Sequence, residues 1–262
     1  MADDWQLAGK AWSERALDFA YLLEPFARPA YDAVLSRLLT ASGMRLLDVA
    51  CGSGYAAMMA AERGAEVAGI DASGRLVEIA RGRVPAGDFR VGDMRVLPFD
   101  SNSFDVVSSF SGIFPGWEQA MDEAVRVMRP GGLFGLSGWG TPRKRQHLAY
   151  FMALVDISPP EHIQESMVGM AAGRPGIAEK LLTDAGLKVL ERGEVDVTSE
   201  WPDVATAVRA VTALGPSWPA IQQVGIAKFE EVMTAALTPV MDEQLGIRLA
   251  SEFFWITARK PT

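Results

Sequence analysis

Cysteine and histidine are almost missing from this chain, and so is any long apolar run. Its 262 residues include one cysteine, Cys51, and two histidines, His147 and His162. A single cysteine excludes an intrachain disulfide and a cysteine-based metal site, and two histidines leave little for a histidine-rich one. No metal is therefore expected. Cys51 lies inside a glycine turn where a nucleophile could stand, but neither histidine is close in sequence to activate it. It reads as a small residue packed under the loop. No apolar run approaches the ~18 residues needed to span a bilayer, so no membrane insertion is expected. The start MADDWQLAGK lacks the basic-then-apolar succession of a secretion signal, which leads us to expect a cytoplasmic location. Basic residues are scarce too. Lys and Arg number 25 against 33 Asp and Glu, for a formal charge of −8, which argues against binding nucleic-acid phosphates. The one basic cluster, Arg143 to Arg145, is short and reads as a solvated loop.

What the chain does have is an organising stretch, LLDVACGSGY from Leu46 to Tyr55. Met44, Leu46, Leu47 and Val49 read as a strand buried on both faces, like the first strand of a parallel sheet. Gly52 and Gly54 follow, where the missing Cβ permits left-handed torsions and lets a ligand approach the main chain. The Ala-rich run Tyr55 to Arg63 then reads as a helix. Glu66 to Ile70 is a second strand ending in Asp71, about 20 residues beyond the turn, where a carboxylate can accept from two ribose hydroxyls. This unit is read as holding a nucleoside.

The rest of the chain continues the alternation. Ser73 is expected to cap a helix through Arg81, and Phe89 to Val91 is a short third strand. Asp93 and Met94 just past it suit an adenine, needing an acceptor and an apolar face, or equally a turn aspartate before a loop. Phe104 to Phe110 is a fourth strand. Because ligands in open parallel sheets bind beyond the carboxyl ends of strands where the order reverses, Ser109 to Trp117 is placed to meet cofactor and substrate. A helix over 117–129 stops at Pro130-Gly131-Gly132, before a fifth strand over 133–137. Ahead of all this, 4–40 reads as two helices joined near Pro25 and Pro29. Its aromatic residues are either core or a lid bringing Trp12, Arg15 or Tyr21 to a ligand. After Trp139 the regularity changes. Segment 139–173, rich in Met, Pro and aromatics, reads either as a cap over an apolar pocket or as core. A helix over 175–185, a strand over 187–197, two or three helices over 201–245 split at 215–219, and a last strand over 248–259 complete the chain.

Taken together these motifs resemble class I S-adenosyl-L-methionine-dependent methyltransferases, most of all the small-molecule enzymes of the ubiquinone/menaquinone-biosynthesis type. LLDVACGSGY, GIDAS (Gly69 to Ser73), VGDMRVLPF (Val91 to Phe99), FDVVSSF and RVMRPGGLF (Arg126 to Phe134) match five family segments in order. The resemblance implies an α/β fold. Its Rossmann-like sheet would be seven-stranded and mostly parallel, with an antiparallel last strand, helices on both faces and helical cap insertions. One methyltransferase domain would span 1–262, with a lid at 1–40 and caps at 139–173 and 201–245. It implies S-adenosyl-L-methionine as cofactor. Gly52 and Gly54 would run beside its methionine part, and Asp48 would support that loop or the amino group. Asp71, with Ala72 beside it, would take the ribose hydroxyls, Asp93 and Met94 the adenine, and the backbone of Phe110 and Ser111 the methionine amino group.

The acceptor pocket would involve Trp12, Tyr21, Phe114, Trp117 and Trp139, an aromatic lining that favours a hydrophobic or aromatic metabolite over protein or nucleic acid. Methyl transfer from a sulfonium needs mainly positioning, and His147 and His162 are the candidates if a general base is used. Two rivals are a dinucleotide-dependent oxidoreductase and a methyltransferase-like protein that binds without turnover. The acceptor atom is left open, as is the oligomeric state, a homodimer included.

Overall fold

The computed structural model describes residues 4–39, 41–141, 146–163 and 171–262. Arg143 to Arg145 and part of the expected 139–173 cap fall outside these.

Seven strands form one continuous sheet. They are β1 (Arg45–Val49), β2 (Glu66–Asp71), β3 (Asp88–Val91), β4 (Phe104–Phe110), β5 (Met128–Trp139), β6 (Lys188–Trp201) and, last in the chain, β8 (Gly246–Arg259). Their order is β3-β2-β1-β4-β5-β8-β6, and a two-residue strand, β7 (Met241–Asp242), pairs with β8 outside that path. The first five strands are parallel, and β8 runs antiparallel to both β5 and β6. This is the expected Rossmann-like α/β sheet with an antiparallel last strand. The order reverses between β1 and β4, so a crevice opens at their carboxyl ends. β1 and β4 are almost wholly buried, as strands covered on both faces are, and the polar Asp48, Ser108 and Ser109 are buried with their apolar neighbours.

Helices α1 (Asp4–Ser13), α2 (Ala16–Asp18), α3 (Arg28–Leu38), α4 (Tyr55–Ala61), α5 (Gly74–Arg83), α6 (Glu118–Val127), α7 (Leu148–Asp156) and α8 (Ile177–Asp184) alternate with the strands. Three more, α9 (Val204–Thr212), α10 (Ser217–Val224) and α11 (Ile226–Leu237), lie between β6 and β8. One apolar cluster covers each sheet face. A third joins α7, α9, α11 and the ends of β6 and β8 to Leu23 of the N-terminal segment. No helix among the described residues is long and apolar enough to cross a membrane.

Two expectations change. The N-terminal segment breaks at Glu14-Arg15, not at its prolines: α2 runs on through a π-helical turn, Phe19–Leu23, and a 3-10 turn, Glu24–Ala27, into α3. Pro25 and Pro29 sit in the first turns of their segments, where an absent N–H costs nothing. The second change is at β5, which begins at Met128, because α6 ends at Val127 and Met128 turns extended.

Candidate active site

At the carboxyl ends of the parallel strands the chain folds around a cavity of about 340 Å³. Backbone geometry marks its floor. Ala50, after β1, and Ser111, after β4, both have φ near +60°, a left-handed conformation that non-glycine residues adopt at a cost. Gly52 shares it (φ +54°), and a Cβ there would meet Oε1 of Glu24 at 2.8 Å. A larger residue there would strain the left-handed turn and push against the Glu24 carboxylate.

Asp71 ends β2 with its carboxylate aimed across the mouth of this turn. Oδ2 accepts from the Gly52 N–H at 2.9 Å and Oδ1 from the Ser73 N–H at 2.8 Å. Each oxygen keeps acceptor capacity. Ala72, Asp93, Met94, Phe110 and Ser111 also line the cavity. Asp93 is held by Arg95, whose Nε donates to both its oxygens at 3.0 Å. Burial raises this carboxyl, but the contacts of Arg95 outweigh it and leave the acid below its ordinary range. The Ser111 N–H is spent on the Ser137 carbonyl at 2.8 Å.

Not every expected residue reaches the cavity. Asp48 lies behind it, 1% exposed, accepting from the Ser108 hydroxyl at 2.7 Å. Gly54 caps α4 with φ +74°, and a Cβ would meet Cβ of Ala80 at 2.7 Å, so it serves helix packing. Cys51 is buried, and its thiol is pushed well up by burial.

Of the expected acceptor residues, Trp12, Phe114, Trp117 and Trp139 do line the cavity. Tyr21 instead points out, 65% exposed, against the guanidinium of Arg83, because in a helical turn it stands on the face opposite Phe19 and Leu23. Arg15, another ligand contact considered, pairs with Asp18 and Glu230, each at 3.9 Å. His147 is buried beside the cavity, its ring nitrogens in contact with the hydroxyls of Ser199, at 2.9 Å, and Ser251. His162 is half-buried and stands away from the cavity wall, its N–H bonded to the Pro159 carbonyl at 3.1 Å.

The residue that sequence reasoning missed is Glu24. It lies on the cavity wall, 5% exposed, with Oε1 accepting from the Ser53 N–H at 3.2 Å and Oε2 from Arg83 Nη1 at 2.8 Å. Arg83 also donates from Nη2 to the Ala20 carbonyl at 2.8 Å, stitching the N-terminal segment to the glycine turn. The signal was an acid inside the apolar stretch Leu22 to Phe26. Glu24, Asp48 and Asp71 thus form a buried acidic group. Burial pushes all three carboxyls up, Asp48 to about 8, with the neighbouring Glu24 and Asp71 adding to it. Arg83 is the guanidinium that pairs with this group. Trp5, Phe19, Phe26 and Tyr31, among the N-terminal aromatics read as core or lid, extend the aromatic wall, and so does Phe253, which was read only as part of the last strand. Packing alone selected them.

A larger, shallow groove of about 650 Å³ lies at the opposite, amino ends of β1 to β4. Within it Arg90 pairs with Asp88 at 2.6 Å. It offers a ligand little.

Residues 47–136 match the family model described as a methyltransferase domain. The chain is 32% identical over 182 residues to a demethylmenaquinone methyltransferase of Clavibacter sepedonicus, covering 58% of this chain and 74% of that protein. The chain belongs to the S-adenosyl-L-methionine-dependent methyltransferases. Members of this family take S-adenosyl-L-methionine as cofactor. Against the three mycobacterial relatives, 33% identical over 128 residues, the chain spans about half their length, 47% of each. Among solved structures it resembles the YcgJ protein of Bacillus subtilis, with a TM-score of 0.56 at 18% identity, covering 90% of this chain and 99% of that one. It also resembles the [4+2]-cyclase SpnF, with a TM-score of 0.54 at 23% identity, covering 90% and 82%. These two likenesses speak for the fold alone.

Proposed function

We propose that the chain transfers the methyl group of S-adenosyl-L-methionine to a hydrophobic or aromatic small-molecule acceptor, chiefly by holding donor and acceptor in line. The observation that carries this reading is the polarity of one cavity. At the glycine turn it meets a buried acidic group paired with one guanidinium, and elsewhere it is walled by Trp, Phe and Tyr rings. Carboxylates short of counter-ions suit a ligand bearing positive charge, and an aromatic wall suits an apolar partner.

The residues present fit the cofactor. Asp71, its carboxylate already oriented by two backbone N–H groups, would accept from the ribose hydroxyls. Asp93 would accept from the adenine amino group, with Met94 against the ring. Gly52, Phe110 and Ser111 would flank the methionine part, with Glu24 facing its positive end. When bound, the cofactor supplies a methyl group already activated by the sulfonium. The chain's own task is then to exclude water with the aromatic wall and to orient the acceptor, a contribution of about 7–11 kcal/mol when contact and alignment are good. Neither histidine lines the cavity, which supports positioning over general-base catalysis. The N-terminal segment through Ala27, together with α7 and α9 to α11, would act as lid and cap over a single domain.

Equilibrium dialysis with labelled S-adenosyl-L-methionine and NAD tests the cofactor, and preference for NAD would overturn the reading. Because a cyclase shares the fold, turnover is read as S-adenosylhomocysteine formed with a panel of aromatic acceptors. Binding without any product across that panel would leave a ligand-binding protein.

A further inference from the structure

Behind Trp139 lies a second chamber that the cofactor does not need. It measures about 80 Å³ and is lined by Tyr150, Phe151 and Leu154 of α7, with Leu148, Pro216 and His147. Trp139 and Leu214 line both this chamber and the main cavity, so the two spaces adjoin at these side chains. The indole of Trp139 is set by rings on three sides, Phe253 at 4.8 Å, His147 at 5.0 Å and Phe26 at 5.9 Å.

None of the described residues lining the chamber is an acid, a lysine or an arginine. Its polar rings are those of Trp139, Tyr150 and His147, and His147 is occupied by Ser199 and Ser251 and meets Tyr150 in a T-shaped contact at 5.7 Å. A mostly apolar recess of this kind gains packing contacts when an apolar group fills it. At about 30 Å³ for each water-sized group, it has room for roughly two or three methylenes.

We propose that the methyl acceptor carries an apolar side chain of about three carbons beyond its reacting ring, and that this chain seats in the chamber behind Trp139. The inference rests on the methyl-transfer reading for the word acceptor, but the chamber's preference is a binding property and is tested as one. Leu148 sets its depth from a half-buried position, where a change of size is tolerated best.

The test measures dissociation constants for 4-alkylphenols from phenol to 4-pentylphenol by isothermal titration, with and without saturating S-adenosylhomocysteine. Affinity should rise roughly fourfold per methylene up to propyl and then level off. Leu148→Trp should bring the plateau one or two carbons earlier, and Leu148→Ala should move it later. The two variants change size in opposite directions, so either one that folds, judged by its unfolding midpoint, decides the matter. A series without gain, or one climbing evenly to pentyl and unmoved by the substitutions, would overturn the chamber's role. Failure of S-adenosylhomocysteine to bind, with the chain-length pattern intact, would instead overturn the cofactor reading and leave the chamber standing as a binding site.

Discussion

Replacing Asp48 by Asn should change how stability depends on pH while barely changing the fold. The Ser108 hydroxyl donates to Oδ1 at 2.7 Å, and the amide oxygen of Asn accepts the same bond. The substitution removes only the capacity to hold a charge in a site that is 1% exposed. Burial, with Glu24 and Asp71 nearby, pushes the Asp48 carboxyl up to about 8 from an ordinary 3.8. The native chain therefore keeps a proton that the unfolded chain releases, so stability falls as pH rises from about 4 towards 8. At 1.36 kcal/mol per unit, the ceiling on that loss is about 6 kcal/mol. Glu24 and Asp71 are present in both proteins and relax when one of three acids goes, so we expect on the order of 2 kcal/mol. For a chain of this size that is about 4–8 °C in Tm. Thermal unfolding of both proteins between pH 5 and 8.5 should show Asp48→Asn gaining on the parent as pH rises. Parallel curves, or a gap that closes, would refute the buried-acid account.

The ion pair of Glu24 with Arg83 should couple the N-terminal segment to the glycine turn. Urea unfolding of Glu24→Gln, Arg83→Met and the double variant should give a coupling of about 1–3 kcal/mol, and Glu24→Gln should weaken S-adenosylhomocysteine binding at least tenfold by titration. Gly54→Ala should destabilise by about 2–4 kcal/mol in urea, since it sets a side chain at φ +74° against Ala80. His147→Ala should lower the unfolding midpoint yet leave single-turnover methyl transfer within about tenfold of the parent, whereas a loss beyond about 10³ would make it a general base.

The strand, glycine turn and acidic strand end were legible in the sequence because each depends on neighbours in the chain. Burial on both faces writes an apolar run, a left-handed torsion calls for glycine, and Asp71 stands a fixed distance on. From these came a nucleoside-binding parallel sheet, and the resemblance of five segments in order to one methyltransferase family supplied the cofactor and most of the residues around the cavity floor. Tyr21 and Gly54 show where such reading ends. Tyr21 belongs to an aromatic segment, but which face of that segment docks on the cavity, that of Phe19 and Leu23 or that of Tyr21, is settled by tertiary packing. Gly54 sits in the same motif as Gly52, yet its requirement comes from Ala80 on another helix.

Glu24 and His147 mark the same boundary. The acid joins the glycine turn across 29 residues through Ser53, and the histidine is held by serines 52 and 104 residues away. Composition and local pattern determined that a nucleoside-binding sheet would form. Which aromatic rings wall the acceptor, which acid pairs with Arg83, and whether a chamber opens behind Trp139 were decided only by tertiary packing, because those contacts form between segments that carry no record of one another.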